Sequence, residues 1–271
     1  MEIIYKTFYI KKILSNNNSQ YNLRLLQLLS KFFIIEDLSN INFNNDDYSI
    51  IKYLSNNNKL KILDFSKRSD KRAKTLLNHI KNIDIKINTY LDIGCFDGSN
   101  TIEIGKILNL KKNNIIGIDI DSYAGMKIKP ISNDFTFINY INSIYIPLQD
   151  NSIDFITLLQ VLHHVQHPNK LLKEIKRISK NGTIIFIREH DCYNEYIENL
   201  IKLEHLLYGI IIDKTDYITY IKNIYENYFS KKSLIKKMKK YGFIEIKSSN
   251  ILNVKKINPT NYYDIMFQLN K

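Results

Sequence analysis

The sequence predicts an α/β protein: a doubly wound, mostly parallel sheet with a small helical layer ahead of it. Three observations carry that prediction. From Ser69 onward, short apolar strands alternate with helical stretches, the order that yields a parallel sheet covered on both faces. A glycine-bearing turn in YLDIGCFDGSNT follows the first of those strands, and such sheets bind ligands beyond the carboxyl ends of their strands. The residues before Ser69 lack the alternation. At 271 residues, the chain has room for one large domain or a domain with an appendage.

In the amino-terminal part, YNLRLLQLLSKFFII (Tyr21 to Ile35) spaces its apolar residues as a helix does, while SNNNSQ, NFNNDD and SNNNK are polar turn tracts. Residues 1–68 are therefore read as a helical and loop extension, and residues 69–271 as the main domain. Ser69 or Asp70 can cap the helix DKRAKTLLNHIKNI, since their side-chain oxygens satisfy free first-turn amides. The strand TYLDIG follows, then a helical stretch from Ser99 to Leu110 and the strand IIGIDI (Ile115 to Ile120). After a mixed stretch come the strand IDFITLL (Ile153 to Leu159), the helix NKLLKEIKRIS and the strand TIIFIRE (Thr183 to Glu189). A helix-rich insert spans about Tyr193 to Tyr228. Beyond it, a helix capped by Ser230 stops at Gly242, and two strands, GFIEIKSS and YYDIMFQLN, complete the domain.

Composition excludes several classes. With 44% hydrophobic residues, 12% aromatics, eight Gly and four Pro, the chain is neither collagen-like, nor Gly/Pro-rich disorder, nor a disulfide scaffold. Apolar runs such as LYGIII fall far short of the roughly 20 residues that cross a bilayer. The lysine-interrupted amino terminus carries no cleavable leader pattern, so an intracellular, cytoplasmic protein is expected. Cys95 and Cys192 are too few for a disulfide framework or a four-cysteine zinc site. The formal net charge of +12 matches the footprint of phosphate binding, yet 49 Ile, 34 Lys and 33 Asn stand against five Arg. Those three abundant residues share A/T-rich codons. Genome bias can supply much of the lysine excess, and RNA binding stays an open reading.

YLDIGCFDGSNT is the most informative segment. Its glycines lie where strand turns into helix, so backbone can approach a ligand with no β-carbon in the way. Asp119 in IIGIDID lies 27 residues after Asp92, at the end of the next strand, where a carboxylate can accept both ribose hydroxyls of a nucleoside. Together the two features specify a nucleoside-containing cofactor.

Here the chain resembles the class I S-adenosylmethionine-dependent methyltransferases, especially the group typified by quinone-biosynthesis methyltransferases. YLDIGCFDG, IIGIDID, IPLQDNSIDFITLLQVLHHV and LLKEIKRISKNGTIIFIREHD carry the likeness in order, over about Ser69 to Asn270. The resemblance implies a Rossmann-like sheet whose closing strands, YGFIEI and YYDIMFQL, form an antiparallel pair. It also implies S-adenosyl-L-methionine as cofactor, held by Asp92, Gly94, Cys95, Gly98, Asp119, Asn142 and Gln160. Asp92 matches the acid that ends the first strand, orders the glycine loop and helps hold the methionine amino group. Gly94 and Gly98 match the loop glycines, with Cys95 beside the first. Asp119 matches the ribose-binding acid, and Asn142 stands where the family often has an aspartate facing the adenine amino group. Gln160 ends the strand beside cofactor and substrate. One departure is Phe96, where the family usually has glycine: its ring either crowds the methionine portion or points outward.

For catalysis, LHHV and IREHD (Arg188 to Asp191) supply titratable groups at the edge of the expected pocket. Glu189 or His190 is the expected substrate-facing acid or base, and His163 is a further candidate. Asp191 equally suits a helix cap, and Glu174 with Arg177, one turn apart, reads as a structural pair. HDC at 190–192 and HHVQH at 163–167 hold metal-ligand residue types, but zinc requires the segments to converge with ligand geometry, and no metal is assigned. The basic run SKRSDKRAK (Ser66 to Lys74) can meet a cofactor carboxylate or phosphate, with a solvated helix start as the favoured reading. The leading functional reading is methyl transfer to a small molecule or RNA, with an activating protein partner and the oligomeric state left open. The alternative, motivated by Phe96 and Asn142, is a non-enzymatic RNA-binding or partner subunit on a degenerate methyltransferase fold.

Overall fold

The structure is a computed structural model that describes residues 6–16, 19–35, 41–61, 68–80, 86–123, 126–140, 145–224, 226–251 and 260–271. Seven strands form the main sheet: β1 (Tyr90–Ile93), β2 (Ile115–Asp119), β3 (Thr136–Asn139), β4 (Ile153–Leu159), β5 (Ser179–His190), β6 (Phe243–Ile251) and β7 (Tyr262–Leu269). Their spatial order is β6-β7-β5-β4-β1-β2-β3. Strands β1 to β5 run parallel, whereas β7 is antiparallel to both β5 and β6. The chain winds from β1 outward through β2 to β3, then returns to the other side of β1 with β4. The strand order therefore reverses at β1, and that switch point opens a crevice at the carboxyl ends of β1, β2 and β4.

Nine α-helices are described: α1 (Tyr9–Leu14), α2 (Ser19–Phe32), α3 (Asp47–Asn57), α4 (Arg68–Ile80), α5 (Ser99–Ile107), α6 (Pro168–Ile178), α7 (Glu195–Leu207), α8 (Tyr217–Asn223) and α9 (Lys231–Lys239). Both sheet faces are covered, which is why β1 is buried throughout, Asp92 included. On one face, Ala73 and Leu76 of α4 and Ile102 and Ile104 of α5 pack on Tyr90, Phe155 and Phe186. On the other, Leu171 and Ile175 of α6 and Leu234 and Met238 of α9 pack on Leu91, Ile93, Ile156 and Ile185. Among the described residues no helix is long and apolar enough to cross a membrane.

A third core joins two parts of the chain that are far apart in sequence. Leu25, Leu28, Leu29 and Phe32 of α2, at helical spacing, pack with residues of α1 and α3 against Ile197, Leu200, Ile201 and Leu207 of α7. The amino-terminal layer and the insert thus form one helical cap. Buried Asp47 fastens it, accepting from the amides of Tyr9 (2.7 Å) and Ile10 (3.0 Å) and so capping α1 from the first turn of α3. At the far end of the same cap, Lys31 of α2 donates to buried Glu204 of α7 at 2.6 Å, and Thr260 donates to the other oxygen of Glu204 at 2.7 Å.

Several boundaries differ from the sequence reading. Helix α4 starts at Arg68, a good helix former, so Ser69 and Asp70 occupy its first turn instead of the cap. Helix α5 ends at Ile107 because Asn109 adopts a left-handed conformation (φ 53°), which returns the Leu110 amide to the Gly105 carbonyl at 3.1 Å. Ser230 caps α9 as expected, accepting from Ser233 N at 3.2 Å, and Gly242 (φ 89°) stops the chain after it.

Candidate active site

At the switch point lies a cleft of about 620 Å3, lined from below by the ends of β1, β2 and β4 and from above by the insert. The turn after β1 shapes its floor. Gly94 (φ 72°) and Gly98 (φ 84°) hold left-handed conformations, and a β-carbon would sit 2.4 Å from Val161 at the first and 2.2 Å from Phe135 at the second. These are positions only glycine fills without displacement. Phe96 between them is also left-handed (φ 51°), which is the physical reason glycine suits this position. Phe96 is 49% exposed and lines the cleft. Cys95 turns its side chain into the core against Gly117, where burial pushes its thiol pKa up.

Two carboxylates organise this floor. Asp92 is 2% exposed and accepts from Thr101 of α5 (2.7 Å) and Thr157 of β4 (2.6 Å), while burial pushes its pKa up to about 6. Asp119 accepts from the Phe96 amide at 2.6 Å and from its neighbour Ile120 at 2.8 Å, and burial raises its pKa as well. Asp119 thereby clamps the glycine loop to the end of β2. Asn142 lies outside the described residues. Gln160, left-handed at the end of β4 (φ 63°), accepts from Arg72 of α4. That bond carries Arg72 into the cleft, so the basic run before β1 reaches the site and is not merely a solvated helix start.

The IREHD segment divides its labour. Arg188 forms a buried two-pronged pair with Asp264 of β7 (2.7 and 2.8 Å). Glu189 is 1% exposed: one oxygen accepts from the amides of Val161 and Leu162 (3.1 and 2.7 Å), and the other meets Nδ1 of His163. This places Glu189, an expected substrate-facing acid or base, outside the described cleft lining, where it holds His163 and the loop after β4. Asp191 accepts from the Lys231 amide at the start of α9 (3.0 Å), while Asn194 caps α7 through Ile197 N (2.9 Å). Arg177 pairs with Glu174 and also holds the carbonyls of Ile146 and Leu148, a structural role as expected.

His163 and His190 do line the cleft, and both are buried. Among the described residues, neither His163 Nε2 nor His190 Nδ1 has a hydrogen-bond partner. Burial, then the neighbouring His205 and His163, hold the His190 pKa well below the usual range. His205 of α7 is depressed likewise, by burial and by His163, and its Nδ1 lies 2.8 Å from the Tyr228 hydroxyl. The sequence reading missed His205. The signal was there in Glu204 and His205, adjacent polar residues inside the largely apolar helix EYIENLIKLEHLL.

Comparison with known proteins settles what this geometry belongs to. Residues 50–246 match a family model for a methyltransferase domain. The chain belongs to that family. The match begins within α3, ahead of the boundary expected at residue 69. This methyltransferase is 28% identical over 174 residues to the ubiquinone/menaquinone biosynthesis C-methyltransferase UbiE of Campylobacter jejuni, covering 59% of this chain and 71% of that protein. It is 29% identical over 130 residues to an uncharacterized methyltransferase of Schizosaccharomyces pombe, spanning 43% of that protein's length. A SAM-dependent methyltransferase from Methanosarcina mazei shares the fold, with a TM-score of 0.51 at 21% identity, over 71% of this chain and 97% of that one. The chain is a class I methyltransferase, and its cofactor is S-adenosyl-L-methionine.

Proposed function

We propose that this methyltransferase acts on a small, largely apolar acceptor enclosed between the sheet and the helical cap. The observation that carries the reading is the cleft. Its volume of about 620 Å3 falls within the range of small-molecule sites, and Tyr208, Ile212 and Tyr220 of the insert roof it. Among its described lining residues, the carboxylates of Asp92, Asp97, Asp119, Glu204 and Asp213 outnumber the one guanidinium, Arg72, and no lysine takes part. A phosphodiester strand would meet net negative charge there.

The residues present fit the cofactor. The glycine loop leaves backbone bare at Gly94 and Gly98, Asp119 stands ready for ribose hydroxyls, and Asp92 with Arg72 offers opposite charges to an amino-acid end. Gln160 and Cys95 complete that wall. When bound, S-adenosyl-L-methionine supplies a methyl group on a sulfonium that leaves as a neutral thioether. The protein's share is then positional, holding an electron-rich acceptor atom in line with the methyl carbon. His190, kept unprotonated by burial, accepts a proton from an acceptor that must lose one. His163 forms the adjacent wall, set by Glu189.

The test is calorimetric titration of the folded, ligand-free chain with S-adenosylhomocysteine, followed by transfer from a labelled methyl donor to small-molecule pools and capped RNA in parallel. Micromolar binding with label in the small-molecule fraction is expected. Label in RNA alone overturns the small-acceptor reading, and absence of binding overturns the cofactor-site assignments.

A further inference from the structure

Four of the six histidines in the chain converge on one wall of the cleft. His163 and His164 stand on the short turn after β4, His190 ends β5, and His205 projects from α7 in the cap. Ring centroids lie 4.0 Å apart for His163 and His164, and 5.1 Å apart for His205 with each of them. One ring nitrogen from each of these three lies within 4.8 Å of the other two. The segments that carry His163 and His190 therefore do converge, and a residue far along the chain supplies a third ligand beside the pair at 163 and 164.

Buried imidazoles ordinarily satisfy both ring nitrogens. His163, 1% exposed, gives Nδ1 to Glu189 and leaves Nε2 buried with no partner among the described residues. A carboxylate on one nitrogen of a histidine whose other nitrogen is unused is the outer-shell arrangement that orients metal ligands. His205 is held in turn by the Tyr228 hydroxyl, 2.8 Å from its Nδ1. We infer that His163, His164 and His205 form a site for a divalent transition-metal ion of the zinc class, with a fourth position open to the cleft for an oxygen of the acceptor. Three imidazoles favour zinc, iron, nickel or copper over magnesium or calcium, and three protein ligands with one open position is the catalytic rather than the structural pattern. Tetrahedral ligands about 2.05 Å from zinc are ~3.3 Å apart, so the rings close by roughly 1.5 Å at most on binding.

The role of such an ion in transfer rests on the reading of the cleft as a methyltransferase active site; the metal site itself does not. For a hydroxyl acceptor, the oxygen bound at the open position loses its proton to solvent. The O–CH3 bond then forms as the S–CH3 bond breaks, giving the methyl ether, S-adenosylhomocysteine and one proton, with no change in metal oxidation state.

The experiment uses the full chain, stripped with chelator, dialysed against Zn2+ and analysed for bound metal. A parallel Co2+ titration is read by visible absorption, and S-adenosylhomocysteine calorimetry is run on the same samples. About one equivalent of metal, with the intense absorption of low-coordinate Co2+, is expected. H164A and H205A each weaken binding tenfold or more and abolish the rise in melting temperature that Zn2+ gives the wild type, whereas H167A, at an exposed neighbour, changes neither. A chain that binds S-adenosylhomocysteine but takes up no metal overturns the inference. So does metal uptake that both H164A and H205A leave unchanged. Metal uptake without S-adenosylhomocysteine binding upholds the metal site and refutes the cofactor reading instead.

Discussion

Asp92→Asn separates what this residue does for the fold from what it does for the cofactor. Burial pushes the Asp92 pKa from 3.8 up to about 6 even though two threonine hydroxyls donate to the carboxylate. A carboxyl raised in the folded state favours folding only while protonated. That contribution is complete below pH 3.8, declines as pH rises to about 6, and is gone above it. At pH 7 the buried charge therefore costs about 3 kcal/mol relative to a neutral group. The asparagine variant removes this cost, so the ligand-free variant melts higher at pH 7, by up to roughly 6–12 °C for a chain of this size. At pH 5 the gain falls to about half, because the wild-type carboxyl is by then mostly protonated. Affinity moves the other way. Losing a charged hydrogen bond worth about 1.5–3 kcal/mol weakens S-adenosylhomocysteine about 10–200-fold at pH 8. Wild-type affinity itself drops about tenfold from pH 8 to pH 5, where only about a tenth of Asp92 is ionised. The variant keeps only the share of that dependence that Asp119, also raised by burial, contributes. Thermal melts and calorimetry at pH 5, 7 and 8 read both effects. A variant that melts lower at pH 7 refutes the burial argument, and one that binds S-adenosylhomocysteine as the wild type does refutes the assignment of Asp92 to the amino group.

Three further outcomes follow from the same geometry. Asp119→Ala removes the acceptor of the Phe96 and Ile120 amides together with the ribose-facing carboxylate, and calorimetry will show S-adenosylhomocysteine binding weakened about 10–200-fold. Gly98→Ala sets a β-carbon 2.2 Å from the Phe135 ring at φ 84°, a conformation that alone costs about 1–2 kcal/mol, so the variant melts lower and loses cofactor affinity. Arg188→Met leaves the Asp264 carboxylate buried without its two-pronged partner and destabilises the chain in urea by about 3–5 kcal/mol; pairing it with Asp264→Leu restores most of that loss.

The sheet was legible because its signals are local. TYLDIG, IIGIDI and IDFITLL are short apolar runs bounded by turn residues, and they emerge as β1, β2 and β4 with bounds shifted by one residue or so. The glycine loop and its two carboxylates were legible for a related reason: positive φ and close approach leave glycine little competition. What escaped depends on contacts between distant segments. Nothing near Glu189 in sequence shows that its oxygens would be claimed by Val161, Leu162 and His163. The helix that Asp191 caps is α9, not the next one along, because β5 ends beside the start of α9. His205 was overlooked because it belongs to an insert whose position over the cleft is fixed by packing on the amino-terminal helices, and no periodicity encodes that docking.

That docking also decides what roofs the cleft. The floor of the cleft consists of parts any doubly wound cofactor domain must supply: a bare loop, one acid at the end of β1 and one at the end of β2. Its roof comes from the insert, through Glu204, His205, Tyr208, Ile212 and Tyr220. The roof is held down by α1, α2 and α3 through the shared core and by the Lys31–Glu204–Thr260 contacts. Glu204 is buried and its two oxygens are taken by partners from opposite ends of the chain, so it fixes the angle at which the adjacent His205 enters the cleft. A change in the amino-terminal layer therefore reaches the roof of the cleft without touching its floor, because the two share one hydrophobic core.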